Sequence, residues 1–181
     1  EKADFDIRLG DYGLYSCRIK SRDVKASYDY FKENNAKIIG KLSTAPNGEH
    51  SFFVEDPNGN LFNVVQGTGW FKNTKHPSKC GGVAGTMIGV SDIDKSISLY
   101  QEVLGYETIE YDETGQFEDL HGIPEGKGNF RRVLLSHKSE RKGPFAKLLG
   151  PTKIELIQSL DRTDCRKMFG KKILGGLGIY N

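Results

Sequence analysis

The stretch that decides the fold runs from residue 83 to residue 105 and reads VAGTMIGVSDIDKSISLYQEVLG. Its first part, Val83 to Val90, is typical of a β-strand. Asp92 or Asp94 then offers an N-cap for a helix, and Gly105 offers the stop after it. The segment therefore predicts a strand followed at once by a helix.

The helical part of this stretch is amphipathic, because its apolar residues recur every three or four positions. We expect these side chains to face inward: Ile93, Ile97, Tyr100 and Val103-Leu104. Three further strands are expected downstream, around Glu107 to Tyr111, Phe130 to Ser136 and Thr152 to Gln158. A Gly/Pro-rich insertion at Gly122 to Gly128 and another loop at Lys138 to Pro151 separate them. The unit reads β-α-β-β-β.

The same order of elements occurs earlier in the chain. Leu14 to Ser21 alternates, with Tyr15, Cys17 and Ile19 on one face and Ser16, Arg18 and Lys20 on the other. Asp23 caps a helix in which Val24, Tyr28 and Phe31 share a face. Three strands follow, at Lys37 to Lys41, Ser51 to Val54 and Leu61 to Gln66. The chain is therefore internally repeated, and its fold class is α+β.

We expect a first βαβββ module at 1–70, an inter-module loop at 71–82 and a second module at 83–160. Residues 161–181 would be a linker. Its last seven residues, from Gly175 to Asn181, echo Gly10 to Ser16. If the echo is a true repeat, a third module begins there and the chain is part of a longer array; chance similarity is the alternative.

Composition limits the partners of this protein. The 26 basic and 24 acidic residues are mixed and give a formal net charge of +2, so no nucleic-acid partner is expected. No apolar run reaches the roughly 20 residues that cross a bilayer, so no membrane partner is expected either. The cysteines are Cys17, Cys80 and Cys165, and this odd number without a Cys-x-x-Cys pair favours a reducing, cytoplasmic location.

Residues 83–105 resemble the strand and helix that open a module of the vicinal oxygen chelate superfamily, which includes glyoxalases, bleomycin-resistance proteins and extradiol dioxygenases. Ile154 to Gln158 resembles the closing strand of such a module. In the first unit, Phe53 to Gln66, with its Asp56-to-Asn60 turn, resembles the closing turn and strand. The resemblance implies mixed or antiparallel sheets paired into an open cup, with a divalent metal where the first and last strands of the modules converge.

Carried over by this resemblance, the metal-ligand positions are Ser16 and Asn63 in the first module and Gly85 and Glu155 in the second. Only Glu155 is a strong ligand, whereas zinc, iron and manganese are usually held by about three imidazole or carboxylate ligands. We therefore expect no metal cofactor in this chain. Glu155 is the only candidate ligand, and a divalent metal is kept as the alternative.

The alternation of strand residues predicts what lines the cup instead of a metal. The expected ligand-binding residues share the concave face: Ser16, Arg18, Lys20, Asn63, Gly85, Met87, Lys153 and Glu155. A buried Glu155 without a metal needs a cation, and Arg18 or Lys20 is the expected partner. The alternative is that Arg18 and Lys20 extend to solvent at the rim. Cys17 is read as a core residue, and no catalytic residue is identified.

Three functions are consistent with this pattern. The first is metal-free binding of a small molecule between paired modules, with an anionic molecule as one version of this function. The second is a metal-dependent lyase, isomerase or dioxygenase of the glyoxalase type, with its ligands completed by another module or subunit. The third is a structural half of a larger enzyme. Besides the small molecule, the expected partners are a second copy in a homodimer or flanking modules of a longer chain.

Overall fold

A computed structural model describes residues 5–67, 78–140, 142–146 and 150–168. The elements of the first module are β1 Gly13–Ser21, α1 Val24–Glu33, β2 Lys37–Thr44, β3 His50–Glu55 and β4 Leu61–Gln66. Those of the second are β5 Cys80–Gly89, α2 Ile93–Glu102, β6 Thr108–Gly115, a 3₁₀ turn Glu118–Leu120, β7 Phe130–Ser136 and β8 Lys153–Ser159. The βαβββ order is confirmed. The terminal echo at Gly175 to Asn181 lies outside the described residues.

Local chemistry explains where the helices begin. The Asp23 carboxylate accepts a hydrogen bond from the Ala26 backbone N–H at 2.9 Å, and the Asp92 carboxylate accepts one from Lys95 at 3.1 Å. Of the two caps considered for α2, Asp92 is therefore the one used. Gly105 follows α2 with φ 70°, a left-handed conformation that suits glycine.

The eight strands form one mixed sheet that curls into a half-barrel. Its strand order is β2-β3-β4-β1-β5-β8-β7-β6. Within each module the first strand runs parallel to the last, β1 to β4 and β5 to β8, and the two modules join where β1 pairs antiparallel with β5. The α+β cup predicted from the sequence is confirmed, with the second module following the first in mirrored strand order.

Two predictions about side-chain direction were wrong. Val103 and Leu104 are 70% and 50% exposed, because α2 ends at Glu102 and its helical periodicity does not continue past that point. Tyr15 packs with the cluster on the concave side, whereas Ile19 packs with the cluster that includes α1. The pairing of β1 with β5 shifts between Leu14 and Ser16, and this irregularity breaks the expected alternation.

The convex side of the sheet is covered by the two helices. Val24, Tyr28 and Phe31 of α1 pack with Phe52, and Ile93 of α2 packs in the second cluster. This is the arrangement that the helical spacing predicted in both modules. Neither helix in the described part of the chain is long and apolar enough to span a membrane.

The concave side is partly filled by the protein itself. Leu9 from the segment before β1 is fully buried there, and so are Leu120 and Ile123 from the β6–β7 connection. They pack with Met87 and Phe130 of the sheet. We call this group the apolar plug: Leu9, Phe53, Met87, Leu120, Ile123, Phe130 and Ile157. It fills space that a fully open cup would leave for a ligand.

The close approach of β5 to β8 gives a testable consequence at Gly85. A Cβ atom there would lie 1.7 Å from the Lys153 carbonyl oxygen. We expect Gly85→Ala to lower the free energy of unfolding by roughly 1–3 kcal/mol, because the two strands must separate. Gly115→Ala is the matched control, since Gly115 has a similar φ of 153° but open space around it. Urea unfolding measures both, and equal losses would contradict the steric explanation.

Candidate functional site

The predicted site residues of the central strands are buried, as strand alternation indicated. Ser16, Arg18 and Lys20 are 1%, 4% and 3% exposed, and Glu155 is 1% exposed. In the sheet, Arg18 is paired with Asn63 on one side and with Gly85 on the other. Three of the positions carried over from the family resemblance, Asn63, Gly85 and Glu155, therefore lie near the Arg18 side chain. The alternative that Arg18 and Lys20 extend to solvent is wrong.

Glu155 is the centre of a buried ionic cluster. Its Oε1 atom accepts three hydrogen bonds, from Arg132 Nε at 2.8 Å, Arg132 Nη2 at 2.6 Å and the Tyr111 hydroxyl at 2.6 Å. Its Oε2 atom lies 3.4 Å from Arg18 Nη1 in a salt bridge. The expected partner Arg18 is therefore present, and a second guanidinium makes the shorter contacts.

Arg132 is the residue of the candidate site that sequence reasoning missed. It is 2% exposed, and its Nη1 atom also bonds the buried Asp119 carboxylate at 2.8 Å. The Phe117 ring packs on the guanidinium, with 4.7 Å from the ring centroid to Cζ. Arg132 is two residues from both Phe130 and Leu134 in β7, so strand alternation would have placed it with them on the concave face. Its pairing with Glu155, however, depends on the register between β7 and β8, which the sequence does not supply.

The electrostatics of this cluster keep Glu155 charged. Burial acts to raise the pKa of Glu155, but Arg132 and Arg18, helped by the Tyr111 hydrogen bond, outweigh it and hold the pKa below its usual value. Burial raises the pKa of Asp119 despite its contact with Arg132. Burial and the neighbouring Glu155 also raise the pKa of Tyr111 well above its usual value. Tyr111 therefore stays protonated and donates to the carboxylate.

Beside this satisfied carboxylate are donors that lack acceptors. The Nε and Nη1 atoms of Arg18 and the hydroxyl of Ser16 are buried, and they have no hydrogen-bond partner in the part of the chain that the structure describes. Arg18 is held by charge attraction to Glu155 at 3.4 Å without a well-aligned hydrogen bond. A guanidinium presents five N–H donors in a plane, so this group has unused capacity for an oxygen ligand.

The remaining predicted site residues have identifiable structural roles. Met87 belongs to the apolar plug, and Gly85 allows the close approach of β8. The Asn63 side chain donates to the Phe52 carbonyl oxygen at 3.4 Å. Lys153 is partly exposed and bonds Glu110 at 2.6 Å, so it lies outside the ionic cluster. Lys20 is buried beside Gly67, and burial lowers its pKa.

The residues at the carried-over metal positions do not suit a transition metal. Gly85 has no side chain, the Asn63 amide donates to a backbone carbonyl, and Glu155 is engaged by two guanidinium groups and a tyrosine. Within the described residues, no three side chains of His, Cys, Asp or Glu are grouped so that they could hold a metal ion. A cation at Glu155 would have to displace Arg132, which already supplies positive charge there.

Comparison with known proteins finds a match to the same superfamily for the first module. Residues 3–64 match the model of the Glyoxalase/Bleomycin resistance protein/Dioxygenase superfamily. The resemblance found from the sequence is thereby confirmed. A search of curated protein sequences gives no significant match.

Solved structures show the same fold. A point mutant of glyoxalase I from Zea mays aligns over 84% of this chain with a TM-score of 0.51 and 20% identity. A protein described as a dioxygenase from Bacillus subtilis subsp. subtilis str. 168 aligns over 86% with a TM-score of 0.52 and 16% identity. The alignments cover 46% and 44% of those chains, so this chain spans about half of their length.

The first prediction for the site concerns Glu155→Gln. This change leaves Arg18 without its carboxylate, and breaking a fully buried ion pair costs roughly 3–5 kcal/mol. Glu110→Gln removes the carboxylate of a partly exposed pair with Lys153, and we expect it to cost about 1 kcal/mol or less. Chemical denaturation at pH 7 compares the two. A small effect for Glu155→Gln would mean that the cluster is solvated.

The pH dependence has a definite sign. The pKa of Glu155 is lower in the folded chain than in the unfolded chain, so its stabilising contribution is present above the unfolded pKa and disappears as the pH falls through the folded one. As the pH falls from neutral through the folded pKa of Glu155, the free energy of unfolding should decrease less for Glu155→Gln than for the wild type. Urea unfolding at a series of acidic pH values measures the difference, and parallel curves would contradict it.

Proposed function

We propose that this chain, whose first module matches the glyoxalase superfamily and whose described part has that fold, is a metal-independent small-molecule-binding protein. Its binding unit would be the module pair, residues 1–70 and 83–160. The observation that carries the proposal is the set of buried donors without acceptors on Arg18 and Ser16. Because these groups are donors, the part of the ligand that they bind is an oxygen acceptor, most favourably an anionic one.

Energetic cost supports a ligand at this position. A buried donor left without a partner costs about 1–3 kcal/mol, and more when the group is charged. A carboxylate oxygen at Arg18 would recover this cost and gain a charge-assisted hydrogen bond. The serine hydroxyl of Ser16 is two residues away on the same strand and adds a second donor.

The ionic cluster would replace the metal in function as well as in position. In metal-dependent sites of this type, a cation attracts the oxygen atoms of the ligand. Here Arg18 and Arg132 carry the positive charge, and Glu155 fixes both guanidinium groups. All three nitrogens of Arg132 already bond Glu155 or Asp119, whereas Nε and Nη1 of Arg18 make no hydrogen bond among the described residues, so Arg18 is the group with donors left for a ligand. Such a site binds and orients an anion, and it supplies no metal-bound water.

A second candidate function is a metal-dependent enzyme of the glyoxalase type. It is favoured by length, since the chain spans about half of the glyoxalase I that it resembles in structure. In that case a flanking module or a second copy of the chain would complete a metal site with residues from outside this module pair. Of the carried-over positions Ser16, Asn63, Gly85 and Glu155, only Glu155 would contribute a strong ligand to it.

Anion binding is the direct test of the first function. At constant ionic strength, we expect acetate to raise the melting temperature of the wild type in a saturable way and to shift the Arg18 Nε–Hε NMR signal. Arg18→Met should abolish the saturable part, whereas Lys25→Met, which removes an exposed charge, should keep it. Glu155→Gln should strengthen acetate binding by freeing the guanidinium. No saturable effect in the wild type would mean that water satisfies Arg18 and would refute the proposal.

Metal content separates the two functions. We predict that purified protein incubated with zinc, iron(II) or manganese and then gel-filtered carries less than stoichiometric metal. Its metal content should not change in Glu155→Gln. Stoichiometric metal that is lost in Glu155→Gln would identify Glu155 as a ligand and would favour the enzyme.

A further inference from the structure

The two edge strands of the curled sheet, β2 and β6, border a cleft with a volume of about 610 Å³. One wall is residues 41–46, which include the end of β2. The other wall combines Glu113 of β6 with residues 116–119, which lead into the 3₁₀ turn. The lining of this cleft does not include Arg18 or Ser16, the residues with unpaired donors, although its Phe117 and Asp119 contact Arg132 of the ionic cluster.

The β2 wall presents the edge of a strand. Six consecutive residues, from Lys41 to Pro46, line the cleft. The first four of these residues belong to β2, which lies at one end of the strand order, so the cleft lies beside an edge strand. Within the described residues β2 pairs only with β3, so the backbone N–H and C=O groups of its outer edge have no strand partner.

The start of this edge is closed, and only its second half is open. Gly40, with φ 77°, packs against the backbone of Gly122, where an added Cβ would lie 2.4 Å from the Gly40 Cα. The register of β2 against β3 also shifts between Ile39 and Ser43. The β6–β7 connection therefore covers the edge at Ile39 and Gly40, and the part that lines the cleft begins at Lys41. Four residues, Lys41–Thr44, remain in strand conformation, a length of about 13 Å at 3.3 Å per residue.

The charges around the cleft favour a basic partner. Its lining contains Lys41 and three acidic residues, Glu113, Glu118 and Asp119. Lys41 lies 3.5 Å from Glu118, and Asp119 is neutralised by Arg132. Glu113 forms no ion pair within the described residues and is exposed, so its carboxylate is left to interact with a cation.

We infer that the cleft is a docking site for an extended, basic segment of a partner protein, which adds as a further strand to the open edge of β2 at Lys41–Thr44. Backbone hydrogen bonds to β2 would supply affinity, and a lysine or arginine near Glu113 would supply selectivity. The sheet already curls so that β2 and β6 face each other, and the added strand would lie in the gap between them.

The charge component is tested with a fluorescent eight-residue peptide of alternating valine and lysine, followed by anisotropy. We expect saturable binding to the whole chain and at least tenfold weaker binding to Glu113→Lys. Glu102→Lys, at an exposed position on α2, should bind as the wild type does. A matched peptide with glutamate in place of lysine should not bind. Absence of binding by the lysine peptide, or equal weakening by both variants, would overturn the inference.

The strand pairing has its own signature. In a peptide that adds to one edge, alternate N–H groups point to the new neighbour. Methylation of the peptide backbone at one alternate set of nitrogens should abolish binding, and methylation of the other set should leave it within about threefold. Equal effects of the two sets would rule out strand addition. Sedimentation of the chain with and without the peptide tests whether a second copy occupies β2 instead. A dimer that displaces the peptide would also overturn the proposed partner.

Discussion

The Glu155 carboxylate and the two guanidinium groups around it are the constraint on which the concave side of this protein depends. Arg132 and Glu155 lie on neighbouring strands, β7 and β8, and Arg18 reaches them from β1 of the other module. The cluster therefore links the modules by charge, next to the β1–β5 pairing that links them by hydrogen bonds. A buried carboxylate is costly unless it is paired, so none of these three residues can be lost without penalty to the others.

The same cluster determines how the β6–β7 connection folds. Arg132 holds Asp119 at 2.8 Å, which fixes the 3₁₀ turn over the cup, and Leu120 and Ile123 follow it into the apolar plug. The Leu9 backbone N–H donates to the Pro124 carbonyl oxygen at 3.0 Å, so the segment before β1 is attached to this connection. Polar and apolar contacts thus act together. The plug fills one part of the concave side, and the ionic cluster occupies another.

Local signals in the sequence were sufficient for most of the fold. Leu61–Gln66 and Phe130–Ser136 are strands with the bounds that the pattern predicted, because turns and glycines mark their ends. The pairing of Glu155 with Arg18 followed from strand parity, which is also a local property. Arg132, Asp119 and the plug could not be derived in this way, since their positions depend on register between strands and on the path of an irregular connection. The irregularity of β1 near Tyr15 was also not predicted, because no glycine or proline at that residue indicates it.

The proposed replacement of a metal by arginine would change what a cup of this kind can do. A metal ion exchanges ligands and lowers the pKa of bound water, whereas a guanidinium keeps its proton and offers only directed N–H donors. Under the proposed function, the chemistry left to the cluster is recognition of an oxygen anion and orientation of the molecule that carries it. The ionic cluster of this protein is arranged accordingly. Arg132, which bonds through all three of its nitrogens, holds the carboxylate in place, and Arg18 retains donors that make no hydrogen bond among the described residues. A purely structural ion pair would gain stability by satisfying those donors internally, so their being left unpaired is the physical reason to expect a ligand here.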